Sequence, residues 1–271
     1  MVSPGSRAAK RKQKKFLRQM AGKDEIMKIL AIEKYEEPVV QEISNSLEDM
    51  QRYVMGYIET ITLSKTAVLV CNEEGKLANF TPNRILKIGS GQDVIRGDFF
   101  ISGWSGDEFC DISDEDIEKY TKMFSKPEIL FIPVWYGVNM IWKAVKPEDE
   151  KKEFCFYDLL QTDADYVFCP FETAMKNHSP KISDYHKAYR GAFKFNEDFD
   201  VTRECERLYM EHNGVILDRK GRSMSISDVL VMHLPNGDRF FYVDFVGFTE
   251  VKVDEDGKMM TTKDNTAENK K

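Results

Sequence analysis

No CxxC pair joins any two of the five cysteines, Cys71, Cys110, Cys155, Cys169 and Cys205, and their number is odd. Neither a disulfide framework nor a zinc knuckle is expected, and reduced thiols in a cytoplasmic setting follow. The four histidines, His178, His186, His212 and His233, have no metal-ligand spacing, so no metal is expected. No cofactor is expected either, because Gly89-Ser-Gly91 is followed by Gln92-Asp93 rather than by the Lys-Ser/Thr of a phosphate loop, and reads as a turn. Long apolar runs are also missing. The longest, residues 129–142, is broken by Pro133, Gly137 and Asn139 and falls short of the ~20 residues a bilayer span needs, which excludes a membrane partner. No apolar stretch follows the basic N-terminal residues, so no secretory signal is expected.

What is present is an ordinary globular composition, 42% hydrophobic and 31% charged, with an uneven division of charge. Residues 1–25 hold eight Lys/Arg against Asp24 and Glu25, which leaves the remainder with 31 basic and 44 acidic residues, a net −13. Such a body repels phosphates and attracts basic protein surfaces. The N-terminal segment, residues 1–26, reads as a basic tail whose residues 7–18 are the one place where nucleic acid could be held.

Hydrophobic patterning predicts an α+β fold of two small domains, residues 27–127 and 128–251, each a mainly antiparallel sheet with one or two packed helices, followed by a disordered tail over 252–271. In the first domain a strand at 29–32 and the segment from Pro38 lead to a helix capped by Ser46 with Leu47, Met50 and Val54 at helical spacing. Residues 57–63 and 67–71 form a hairpin, Asn83-Arg84 reads as a polar loop apex, and one strand over 94–104 has a bulge at Gly97. A helix capped by Ser113 follows, with Asp114, Glu115 and Asp116 in its first turn. In the second domain strands are expected at 129–136, 140–145, 154–160 and 189–195. A helix over 201–212 is capped by Asp200 and places Cys205, Leu208 and Tyr209 on its inner face. The clearest hairpin pairs 229–234 with 240–245, with Phe241, Val243 and Phe245 on one side and Tyr242 and Asp244 on the other.

Several motifs point to known domains. Gly221-Arg-Ser-Met-Ser-Ile-Ser-Asp228, Phe241-Tyr-Val-Asp-Phe-Val-Gly-Phe248 and Tyr189-Arg-Gly191 resemble the YodL-like domain of phage and conjugative-element proteins, over residues 185–251. The family's residues between helix and Ser-rich turn are replaced here by 214–220. Cys71-Asn-Glu-Glu-Gly75, Pro82-Asn-Arg84 and Ile95-Arg-Gly-Asp98 are similar to an uncharacterised domain of unknown function from mobile elements. The pairing implies an accessory protein in a setting of host takeover and anti-defence, and implies no catalytic mechanism.

The candidate chemistry is sparse. Ser223, Ser225, Ser227, Asp228 and His233 contain the ingredients of a nucleophilic site, but alternate serines before a strand satisfy the backbone of a turn. Trp135, Tyr136 and Trp142 read as core aromatics before they read as a ligand-facing surface. Trp104, Asp107, Glu108 and Asp111 form an acidic edge with an aromatic anchor, the expected partner-binding residues. The expectation is a non-enzymatic accessory protein that binds and modulates a host protein such as a defence nuclease through an acidic surface. The alternative is a nucleic-acid-binding regulator that uses the basic tail.

Overall fold

The computed structural model describes residues 26–262, apart from 90, 126, 128, 137–138, 147–153, 197 and 214–217. The basic segment 7–18 and the loop 214–217 therefore lie outside the described residues. The chain divides between Ile129 and Leu130 into two α+β units.

In the first unit the elements run β1 (Ile26–Ile32), β2 (Val39–Ser44), α1 (Leu47–Val54), β3 (Ile58–Thr62), β4 (Ala67–Asn72), β5 (Pro82–Ile88), β6 (Gly91–Arg96), β7 (Phe99–Ser105), β8 (Glu108–Cys110) and α2 (Asp114–Phe124). The main sheet has the order β2-β1-β7-β4-β3, with β8 on β7, while β5 and β6 form a separate hairpin. Both faces of this sheet are covered. Leu30, Leu69 and Ile101 pack with Tyr120 and Phe124 of α2 and with Leu86 and Ile95 of the β5–β6 hairpin. Ile29, Val68, Val70 and Phe100 pack with Met50 and Val54 of α1. Two-sided burial explains why every residue of β4 is buried and why its sequence, Ala-Val-Leu-Val-Cys-Asn, does not alternate. Both helices start where the sequence places their caps, with Ser46 Oγ accepting from Asp49 N at 3.1 Å and Ser113 Oγ from Asp116 N at 3.1 Å.

The strand read over 94–104 is two strands in different sheets. Gly97, at φ +73°, breaks the chain between β6 and β7 and donates its N–H to Thr81 O. Asn83 and Arg84 are not a loop apex but lie buried in β5. Asn83 Nδ2 donates to Ile32 O and Gly97 O, and the Arg84 guanidinium donates to Phe124 O, Asn83 Oδ1 and Glu36 O. This arginine closes the C-terminal carbonyl of α2 and ties it to the β1–β2 connection. Burial pushes its pKa down to about 10.

In the second unit the elements are β9 (Leu130–Tyr136), β10 (Asn139–Val145), β11 (Phe154–Thr162), α3 (Phe171–Asn177), β12 (Tyr185–Lys194), α4 (Val201–Asn213), β13 (Val229–Leu234), β14 (Gly237–Val243), β15 (Phe248–Val253) and β16 (Met259–Thr261). The main sheet runs β12-β11-β13-β14-β15-β16, and β9 and β10 form a hairpin of their own. The side chains of Trp135 and Tyr136 lie outside the described residues. Here too both faces are packed, with Leu230, Met232, Phe241 and Val243 against Cys205 and Leu208 of α4, and Val229, Val231 and Tyr242 against Phe171 and Ala174 of α3. Burial pushes the Cys205 thiol up to about 12, and does the same to Cys71 in the first unit, which keeps both thiols protonated and unreactive.

Three further expectations are corrected. The chain after residue 252 is not frayed at once, because β15 extends to Val253 and β16 brings Met259 into the core, its N–H bonded to Pro180 O. Tyr209 faces outward on α4, and His212 takes the inner position. Phe245 lies beyond the end of β14 and is 77% exposed. Phe241→Ala should therefore lower the unfolding free energy of this unit by about 3–5 kcal/mol, whereas Phe245→Ala should leave it within about 0.5 kcal/mol of wild type, as read by chemical denaturation.

Candidate functional site

The acidic edge of the first unit is divided by its geometry. Trp104 sits opposite Phe109 in the β7–β8 hairpin, half-buried, with its ring edge-on to that phenylalanine at 5.3 Å. Asp107 lies in the connecting turn at φ +72°, and both it and Glu108 are exposed. Asp111 turns back, its carboxylate accepting from Lys28 N at 2.7 Å, while Asp114 pairs with Lys28 Nζ at 2.9 Å. Asp116 is buried and accepts from Thr66 Oγ1 and Ser113 Oγ. Three of the four expected residues, Asp107, Glu108 and Asp111, are thus exposed, although the Asp111 carboxylate is also tied to β1, and Trp104 packs on the hairpin that carries Asp107 and Glu108.

A second arrangement, not anticipated as a binding surface, occupies the end of the second unit's sheet where β11 and β14 finish and β12, β13 and β15 begin. It is built on Asp228, which is fully buried at the start of β13. Its carboxylate accepts from both Arg222 terminal nitrogens at 2.7 and 2.5 Å, from Gln161 Nε2 at 2.9 Å and from Ser225 N at 2.9 Å. Burial pushes the Asp228 pKa above its ordinary value, and the Arg222 and Gln161 bonds pull it back. The serines of the motif serve this turn. Ser227, held at φ +79°, accepts from Phe168 N through Oγ and from the Tyr185 hydroxyl through its carbonyl. Burial drives the pKa of Tyr185 well above the ordinary phenolic value, so its hydroxyl stays a donor.

The network holds aromatic and apolar side chains toward solvent. Phe168 is kept at φ +64° and is 55% exposed, with the Arg222 guanidinium 5.0 Å from its ring centre. Phe245 and Val246, at 77% and 85% exposed, form the tip of the β14–β15 turn. Asp244 fixes that turn by accepting from Phe245 N at 2.8 Å and Thr249 Oγ1 at 2.8 Å, while Asp244 N donates to Gly247 O. Beside it lies an open cleft of about 480 Å³ walled by Phe171, Phe248, Thr249 and the carboxylates Glu172, Asp244 and Glu250. The signal for this site in the sequence is Asp244-Phe-Val-Gly247, an apolar pair bracketed by two turn residues.

His212 and His233 are committed to internal bonds. His212 and Tyr157 share a 2.8 Å bond inside the core. Gly191 is required beside them, since a Cβ there would stand 2.5 Å from the Tyr157 ring. His233 is held between Asp158 at 3.0 Å and Asp238 at 2.9 Å, away from any bond to a serine, and Asp158 also faces Arg190. Among the described residues no three His, Cys, Asp or Glu side chains group to hold a metal, and no helix is long and apolar enough to cross a membrane.

The fold and this site define a protein of two antiparallel α+β units with helices on the faces of each sheet. Residues 27–125 match the family described as a domain of unknown function (DUF3846), and residues 153–253 match the YodL-like domain, in the order the motifs imply. The second match begins before β11, well ahead of the motifs at 185–251. No curated protein and no solved structure matches the chain.

Two outcomes follow from these bonds. The Asp158 hydrogen bond, with that of Asp238, raises the His233 pKa above 6.5. The imidazolium therefore adds stability that is fully present below the unfolded-state pKa of about 6.5 and is lost as pH rises through the higher folded value. The stability gap between wild type and His233→Gln should be widest in mild acid and shrink toward neutral and alkaline pH in denaturant titrations. Arg222→Leu strands a buried carboxylate and should destabilise the second unit by about 3–5 kcal/mol, measured the same way.

Proposed function

We propose that the protein is a non-enzymatic binding protein that docks a basic protein partner through the second unit's sheet end, with the acidic turn at Asp107 and Glu108 aiding encounter. The observation that carries this reading is the pairing of a fixed apolar tip, Phe245-Val246, with a cleft walled by Glu172, Asp244 and Glu250. A rigid apolar anchor next to a pocket is the arrangement that concentrates binding energy at protein interfaces. Glu250 is held by Arg239 at 2.7 and 2.8 Å and Asp244 by its own turn, so the exposed Glu172 is the wall carboxylate best suited to a Lys or Arg side chain from the partner. The net −13 of the chain beyond residue 25 favours approach by a basic surface and disfavours nucleic acid.

A host nucleic-acid-handling protein, such as a defence nuclease with an open basic groove, is the class of partner with both features. The resemblance to phage and conjugative-element domains supplies that setting. Commitment of Asp228, His212 and His233 to internal bonds supports a binding role over a catalytic one.

Photo-crosslinking from position 245 of the full chain in a bacterial lysate, followed by binding measurements on the captured protein, tests the reading. Phe245→Asp combined with Val246→Asp should weaken that complex at least tenfold, a loss of about 1.4 kcal/mol or more, with an unchanged melting temperature. Replacing Asp107, Glu108 and Asp111 with Asn or Gln should slow association and flatten its salt dependence. An unaltered affinity in the tip variant, or crosslinks to nucleic acid alone, would overturn the proposal.

A further inference from the structure

The cleft beside the Phe245-Val246 tip lies where the described chain ends. Its lining includes four threonines and the carboxylates Glu172, Asp244 and Glu250, and no Lys, Arg or His. Arg239 already holds Glu250, and Asp244 is engaged by Phe245 N and Thr249 Oγ1. Glu172, in the first turn of α3, is exposed and pairs with no cation among the described residues. Thr261 and Thr262 line the cleft, and Lys263 follows them directly. Successive Cα atoms lie ~3.8 Å apart, so Lys263 is tied to the cleft's rim whatever course the chain takes beyond it. A cleft with carboxylates and no cation of its own attracts a cation at its rim. The covalent tie gives that cation an effective concentration on the order of millimolar.

We propose that this cleft is occupied from within the chain: the segment beginning at Lys263 turns back over it and seats the Lys263 ammonium on Glu172, so that a partner's basic side chain enters only by displacing it. Lysine suits the task because its flexible stem carries a compact charge that can sweep across the cleft. Lys270 and Lys271 also follow, but Asp264 and Glu268 precede them and are repelled by the same carboxylates, which favours the lysine next to the wall. Exposed ion pairs are weak, so this occupant screens the cleft from stray cations yet yields to a partner that adds apolar contact at the tip. The docking of Lys263 stands without any partner, whereas its displacement rests on the partner-binding reading given above.

Zero-length carbodiimide coupling of the full chain, read by peptide mapping, tests the docking. A Lys263–Glu172 amide bond should form within one chain, with a yield unchanged on dilution and lost in Glu172→Gln. Mixing light and heavy isotope-labelled chains separates a bond within one chain from a bond between copies. Displacement is read with N-acetyl-L-arginine amide, titrated by NMR against the backbone amides of Thr173 and Thr249. Lys263→Gln should bind this probe about threefold more tightly than wild type, the factor expected when an exposed ion pair no longer competes, and Glu172→Gln should bind it most weakly. A missing Lys263–Glu172 bond, a bond found only between copies, or equal measured affinity in wild type and Lys263→Gln would overturn the proposal. Formation of the bond in a protein that never takes up the probe would uphold the docking and count against the partner reading instead.

Discussion

The buried carboxylate of Asp228 is the interaction on which the 221–228 end of the second unit's sheet depends. An isolated charge at full burial is prohibitively unfavourable, so the chain must bring donors to it. Arg222, Gln161 and the Ser225 N–H meet that demand, and in doing so they draw the 221–228 turn onto the end of β11. A Cβ at Gly221 would stand 2.1 Å from the Gln161 amide oxygen, which explains a glycine at the head of the Gly221-Arg-Ser-Met-Ser-Ile-Ser-Asp228 motif. Once the turn is seated, Ser227 is forced to positive φ, and its hydroxyl and carbonyl become the anchors for Phe168 and Tyr185. The exposed Phe168 ring under Arg222 is thus the outer end of a chain of bonds that begins in the core.

The first unit solves a related problem with neutral and cationic side chains. A sheet covered on both faces leaves its helix ends and crossing loops with carbonyls that water cannot reach. Asn72 donates to Val54 O and Met55 O at the end of α1, and Arg84 donates to Phe124 O at the end of α2. Lys34 and Asp98 form a buried pair, with Lys34 N also bonded to that carboxylate. Polar residues that read as turn formers are therefore the fasteners of this unit.

That substitution of roles marks the boundary of what the sequence reveals. Period and capping carry the elements, because an N-cap serine or an alternating strand acts through its immediate neighbours, as at Ser46, Ser113 and the β13–β14 hairpin. The α+β class and the two halves were legible on that basis, and the two family resemblances on the separate ground of their short motifs. Asn83-Arg84 was not, since nothing local separates an arginine that caps a distant helix from one at a loop tip. The break at Gly97 was hidden for the same reason, as the two strands it separates join different partners. Of the acidic edge, the sequence reveals charge but not direction, so Asp107 and Asp111 look alike until Lys28 is placed beside one of them. Phe245 was read as strand because its apolar side chain continues the pattern of β14, and only the Asp244 bonds show where pairing stops.

In the proposed complex, charge and apolar contact would divide the work of recognition in time. Exposed carboxylates such as Asp107 and Glu108 act over about a Debye length and change how often a basic partner arrives, an effect that salt erodes. A rigid apolar tip acts only on contact, and changes how long the partner stays. Because Asp244 and Gly247 fix the tip before any encounter, little ordering entropy is left to be lost on binding. A complex formed by this chain should then keep a slow dissociation rate in high salt even as its association rate falls. An interface made of the acidic surface alone would lose both.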